Sequence, residues 1–159
     1  MLDKFYKFNN VLYNILKFIG ITLLTIMTLV VFISVIYRYI LLSPIRWSGE
    51  VSRILFIWIS MIGATLALRK KSHAAVEIFL KKFPSKIQSI IYVIVRILIV
   101  LTIILLIYYG YELTITAGRS VTPSLRISES YVFAAIPFSA IFMIFFYIEI
   151  IFKEINESR

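Results

Sequence analysis

Few residues in this 159-residue chain could do chemistry, and their types narrow what that chemistry is. There are no cysteines, so disulfides, thiol redox reactions and cysteine metal sites are excluded. The single histidine, His73, stands close to Arg69, Lys70 and Lys71 with no second histidine to complete a metal site. Its expected role is that of a polar residue at a membrane surface. No glycine-rich phosphate loop, nucleophile motif or other catalytic constellation occurs. What is left is a sparse set of polar residues in apolar sequence. Arg38, Trp47, Glu50 and Arg53 gather around one turn. Glu50 and Arg53 lie three apart, so they share a helix face and can pair. Glu50 also falls in a first helical turn, where a negative charge suits the helix dipole. Two roles are open to the pair: an ordinary interfacial contact, or a structural and subunit-docking feature. Gln88, Tyr92 and Arg96 recur every four residues as one polar stripe. Arg96 either snorkels to the headgroups or pairs inside a helix bundle, with Glu149 as its candidate partner.

The elements that must position these residues are membrane helices. Sixty-one per cent of the chain is apolar or aromatic, more than a single small core can bury. Four apolar stretches stand out, at about residues 18–42, 51–68, 87–111 and 131–152. Each is long enough to cross a hydrocarbon core of roughly 30 Å as a helix. Strands are ruled out, because four cannot close a barrel and an open sheet leaves backbone groups unpaired in lipid. The fold class is therefore an all-α integral membrane protein with one membrane domain. The first run is too long for a signal-peptide core and is expected to be retained. Segments 3–17 and 72–82 interleave apolar with basic residues and are expected to be short amphipathic in-plane helices; a helix extension or a basic loop is the plainer reading of each.

Charge sets the expected orientation. The chain carries 17 Lys+Arg against 8 Asp+Glu. Eleven of the basic residues fall in the N-terminal segment, the second loop and the C-terminus. Arg46, Arg119 and Arg126, with Arg53 at a helix start, fall on the other side. The asymmetry predicts both termini in the cytoplasm. It also makes lipid, not nucleic acid, the partner of the basic residues. Tyr37, Tyr39, Trp47, Tyr108, Tyr109 and Tyr111 would then form the outer aromatic belt. In the second span Ser60 and Ala64 are four apart, as are Gly63 and Ala67, a spacing that lets helices approach closely. Packing within the bundle is expected first, contact with another subunit second. Pro137 should bend the fourth span by denying the carbonyl of Phe133 its donor. Pro123 constrains an outer turn.

These features fall in a telling order. Val35-Ile36-Tyr37-Arg38-Tyr39 closes the first span, and Trp47-Ser48-Gly49-Glu50 with Arg53 opens the second. Trp58, Gly63-Ala64 and Ala67-Leu68-Arg69 follow, then His73, Val76 and Glu77. After the third span come Thr122-Pro123-Ser124-Leu125, Ile127, Tyr131 and Ala135-Ile136-Pro137. Over roughly residues 35–138 the chain resembles the small, DctQ-like membrane subunit of TRAP (tripartite ATP-independent periplasmic) transporters. It departs from the usual pattern in three places. Gly49 stands where the family often has an acidic residue, Glu77 where it usually has Asp, and Arg126 where it often has glycine.

The resemblance implies a bacterial inner-membrane scaffold subunit without enzymatic activity, cofactor or substrate site of its own. Its implied partners are a large elevator subunit, which carries the sodium and carboxylate sites, and a periplasmic substrate-binding protein. The carboxylates implied are of the C4-dicarboxylate or sialic acid class. The residues themselves agree, since no Asp or Glu lies at mid-span, where a transport site usually shows one. A small four-helix exporter would need such a carboxylate in its first span. A free-standing assembly or regulatory protein is the remaining alternative.

Overall fold

The computed structural model describes residues 2–70 and 84–157. His73 and the amphipathic segment 72–82 lie outside the described residues. Helix α1 (Leu2–Tyr39) is followed by α2 (Ser48–Arg69), α3 (Ser85–Ala117), a one-turn α4 (Ser130–Phe133) and α5 (Ala135–Glu157). Among the described residues, four helical stretches are long and apolar enough to cross a membrane, the last comprising α4 and most of α5. The four expected spans are thus present, with α3 running six residues past its expected outer end.

The N-terminal segment differs from the expected layout. Residues 3–17 are helical, but they continue without interruption into the first span. The helix extension is what forms. The reason lies in its contacts: the Phe5 ring packs edge-on against Phe152 at 6.4 Å, and Tyr13 packs in the same way against Phe146. The 38-residue helix is about 57 Å long at 1.5 Å per residue, well beyond a hydrocarbon core. At its far end Leu42 takes a left-handed φ of 51°, and the Ser43 N–H bonds back to the Tyr37 carbonyl at 3.0 Å. Pro44 then prevents the helix from resuming.

The helices pack in the order α1–α2–α5–α3. The fourth span is the centre: 39% of its most apolar window is buried, against 0%, 11% and 6% for the first three. One face of α5 places Phe146 against Leu16 and Ile62; the other places Met143 and Tyr147 against Ile103. The outward faces of α1 and α3 remain apolar and exposed, as at Phe18, Phe32, Ile97 and Leu98, which suits surfaces solvated by lipid tails.

Pro137 follows closely on a break in the fourth span. The fourth span is interrupted at Ala134, three residues before the proline. The ring crowds the preceding turn and has no N–H for the carbonyl four residues back. The interruption sits where α3 comes closest. A Cβ added to Gly110 of α3 would lie 2.7 Å from Ile136 Cγ2 and 3.2 Å from Pro137 Cδ. The close approach expected at Gly63 is found here instead. Ser60, Gly63, Ala64 and Ala67 are exposed, and a Cβ on Gly63 would meet nothing within 4 Å. Their face of α2 is not the one that carries buried Ile62 and Thr65 into the bundle.

Candidate functional site

Two polar joints tie the spans together, one at each end. The outer joint is built on the first turns of α2. The Ser124 N–H donates to Glu50 Oε1 at 2.7 Å and the Leu125 N–H to Glu50 Oε2 at 2.9 Å. The Ser124 hydroxyl donates to the carbonyl of Arg46 at 3.3 Å. One carboxylate thus holds two consecutive amides of the α3–α4 loop, and charge-assisted bonds of this kind are the stronger ones. The loop is a small hairpin. The Thr122 N–H donates to the carbonyl of Ile127 at 2.9 Å, the Glu129 N–H donates to the carbonyl of Ser120, and the Arg126 N–H donates to that of Thr122. Pro123 occupies the tip, where its fixed φ suits the turn. Arg126 closes it with a left-handed φ of 53°.

The Glu50–Arg53 pair that helix spacing allows does not form. Glu50 serves the loop amides, and Arg53 Nη2 reaches Glu129 Oε1 at 3.1 Å. The i, i+3 rule concerns neighbours on one helix face, but here the loop brings better-placed partners from 74 and 76 residues away. Arg38 lies in the last turn of α1 and Trp47 precedes α2; both side chains are exposed and, among the described residues, make no hydrogen bond or ion pair. A basic group in the last turn of α1 suits its dipole. Trp58 completes the joint: its indole N–H donates to the Tyr131 carbonyl at 3.0 Å, and its ring lies 5.5 Å from that of Phe138.

The inner joint is an ion pair. Arg69 Nε and Nη2 donate to Glu149 Oε2 and Oε1, both at 3.0 Å. Nη2 also donates to Asn10 Oδ1 at 2.6 Å. The guanidinium lies over the rings of Tyr13 and Phe146, at 5.0 and 5.1 Å from their centroids. The Arg69 and Glu149 side chains are only 11% and 3% exposed, so this is a forked, largely desolvated pair. It joins α1, α2 and α5. Beside it, buried Asn9 donates Nδ2 to the Phe145 carbonyl at 3.4 Å.

The partner shown for Glu149 is Arg69. Both carboxylate oxygens face Arg69, while Arg96 is exposed on α3 and accepts the Tyr147 hydroxyl at its backbone carbonyl, 3.2 Å away. Sequence reasoning placed Glu149 at the inner end of the fourth span and Arg69 among the flanking cations, yet joined neither to the other. It missed Glu129 and Gly110 as well. Their signals were an isolated acid just before a span and a lone glycine inside an apolar one.

The joints are spaced by the bilayer. From Glu50 to Arg69 along α2, and from Glu129 to Glu149 along the fourth span, the helical rise gives about 28–30 Å. That is close to a hydrocarbon thickness of ~30 Å. Charged contacts hold the bundle at its two boundaries, and between them it is held by apolar packing.

Residues 27–157 match the family described as "Tripartite ATP-independent periplasmic transporters, DctQ component". The chain belongs to that family. It is a TRAP transporter small permease subunit, a multi-pass protein of the bacterial inner membrane. It is 28% identical over 154 residues to a putative TRAP transporter small permease protein of Haemophilus influenzae strain KW20, covering 97% of this chain and 93% of the relative. To the sialic acid TRAP transporter small permease protein SiaQ of Vibrio cholerae it is 27% identical over 140 residues, 88% of this chain and 81% of SiaQ. It also matches the sialic acid TRAP transporter permease protein SiaT of H. influenzae strain 86-028NP, at 29% identity over 133 residues. That match takes in 84% of this chain but only 22% of SiaT. The family falls among transporter membrane subunits and not among enzymes, and membership implies association with a large permease subunit.

Proposed function

We propose that this subunit is the stationary scaffold of a sodium-coupled importer of carboxylates of the sialic acid or C4-dicarboxylate class. A soluble protein delivers the substrate, and the larger membrane subunit carries the substrate and sodium sites. This chain has no reaction of its own and binds neither cargo nor ion. Both termini face the cytoplasm, so the Glu50 joint faces the periplasm.

The observation that carries this reading is the use made of Glu149. A buried carboxylate is the group a transport site would employ. Here it is engaged by a forked arginine that also holds α1 and lies over two rings. An ion or substrate would have to displace Arg69 from all of these contacts. Such a group suits a fixed frame.

The test is uptake into vesicles reconstituted with the binding protein, the large subunit and this chain. Leaving this chain out should abolish transport while the binding protein keeps its affinity for ligand. Saturable binding of sodium or a carboxylate to the purified subunit alone would sink the proposal.

A further inference from the structure

The carboxylates of the two joints are all engaged: Glu50 by loop amides, Glu129 by Arg53 and Glu149 by Arg69. Glu112 on α3 is not. It is exposed and, among the described residues, makes no hydrogen bond or ion pair. Arg119 stands seven residues further on, about 10 Å along the helix axis.

The position of Glu112 decides what could neutralise it. Gly110 faces Ile136 and Pro137 of the fourth span, and Glu112, two residues on, lies about 200° further round α3. It therefore ends an outward stripe of exposed apolar side chains formed by Ile97, Leu101, Leu105 and Tyr108. The Ser130 hydroxyl donates to the Thr114 carbonyl at 2.7 Å, so Thr114 is level with the start of the fourth span. Glu112 is then about 3 Å nearer the bilayer centre, where lipid tails give way to headgroups. Around its carboxylate, Ile107, Tyr108, Tyr111, Ile115 and Thr116 shape an open recess of about 440 Å³. Sites for small molecules occupy roughly 300–1,000 Å³. The Tyr108 ring is braced edge-on by Tyr109 at 5.1 Å.

We propose that Glu112, with Tyr108 and Tyr111, binds the primary ammonium headgroup of a phospholipid such as phosphatidylethanolamine, whose tail lies on the Leu101 and Leu105 stripe. A carboxylate partly withdrawn from water costs stability unless it is paired. An ammonium supplies N–H donors to it, and tyrosine faces attract the same cation. An anionic lipid would bring a like charge to Glu112, so the site discriminates by sign. The site is set by depth in the bilayer and holds whichever compartment that end of the bundle faces.

The experiment is native mass spectrometry of the purified full chain titrated with phosphatidylethanolamine or phosphatidylglycerol. The parent should retain a first phosphatidylethanolamine about ten-fold better than phosphatidylglycerol, as suits a charge-assisted hydrogen bond. Glu112→Gln should bring the two lipids to near parity, Glu112→Asp should keep most of the preference, and Tyr111→Leu should weaken it about three-fold. Glu112 touches no other part of the chain through a polar contact, so unfolding of Glu112→Gln in lipid-free detergent should match the parent and loss of folding is not a competing explanation. Equal retention of both lipids by the parent overturns the proposal, and so does a preference that survives Glu112→Gln. A Glu112→Gln chain that keeps the lipid preference but no longer co-purifies with the large subunit also overturns it, by assigning the carboxylate to a cation of that partner.

Discussion

Glu50 and Glu149 are both carboxylates near span ends, but they do different work. Glu50 accepts two backbone amides, and its loss leaves both without their partner. In Glu50→Ala the amides of Ser124 and Leu125 should exchange with solvent at least about ten-fold faster, and uptake should fall with the binding protein's affinity for ligand unchanged. Glu50→Gln keeps one carbonyl oxygen and should be intermediate. Hydrogen exchange by mass spectrometry over residues 118–129 checks this, and exchange unchanged in both variants would refute the carboxylate's role. Glu149 has a charged partner in a dry setting. Arg69→Met should cost about 3–5 kcal/mol, because it strands a buried carboxylate. Arg69→Met combined with Glu149→Leu should recover most of that loss, since well-packed apolar replacements for a buried pair are often neutral. Thermal unfolding in detergent distinguishes the cases; a double variant no better than the single would mean that Arg69 acts through Asn10 and the two rings instead.

Two glycines separate what an element's sequence says from what its neighbours impose. Gly63 lies in a small-residue pattern, and Gly110 does not. Yet the space for a side chain is at Gly63, and the contact is at Gly110, against Ile136 and Pro137. Gly110→Ala should lower the stability of the isolated subunit by about 1–3 kcal/mol, the usual range for overpacking. Gly63→Leu should leave the isolated subunit's unfolding temperature within a degree or two. If Gly63→Leu instead weakens only the complex with the large subunit, the exposed face of α2 is an intersubunit surface. Equal effects of both variants on the isolated chain would contradict the packing described. The break at Ala134 belongs to the same scale. Pro137 interrupts the fourth span at the level where α3 approaches, and the absent side chain of Gly110 leaves room for the Pro137 ring.

For the whole molecule the proposed orientation, with both termini in the cytoplasm, is tested by cysteine labelling. The absence of cysteines makes labelling clean. A cysteine at Ser120, exposed on the loop after α3, should react with a membrane-impermeant maleimide in intact cells. A cysteine at Ser85, the first residue of α3, should react only after the membrane is opened. The reverse pattern would invert the molecule and place the Glu50 joint in the cytoplasm, where no periplasmic protein could reach it. The spacing of the two joints makes the orientation matter. They stand a hydrocarbon thickness apart, so one must meet each aqueous face.

The number of spans, their helical form and the break before Pro137 could be deduced from the sequence by itself. Each depends on a property that runs along the chain. Apolar length must match a bilayer, backbone groups in lipid must be satisfied within their own segment, and a proline ring acts on its own preceding turn. Which charge meets which was decided by the tertiary structure. Glu50 bonds amides 74 and 75 residues away, Arg53 turns to Glu129, and Arg69 takes Glu149 across 80 residues. Those choices depend on how far each helix is rotated about its axis and on the order α1–α2–α5–α3, which side chains set jointly across the interfaces. Helical spacing rules assign a residue to a face of its own helix, but only the packed bundle determines what that face meets.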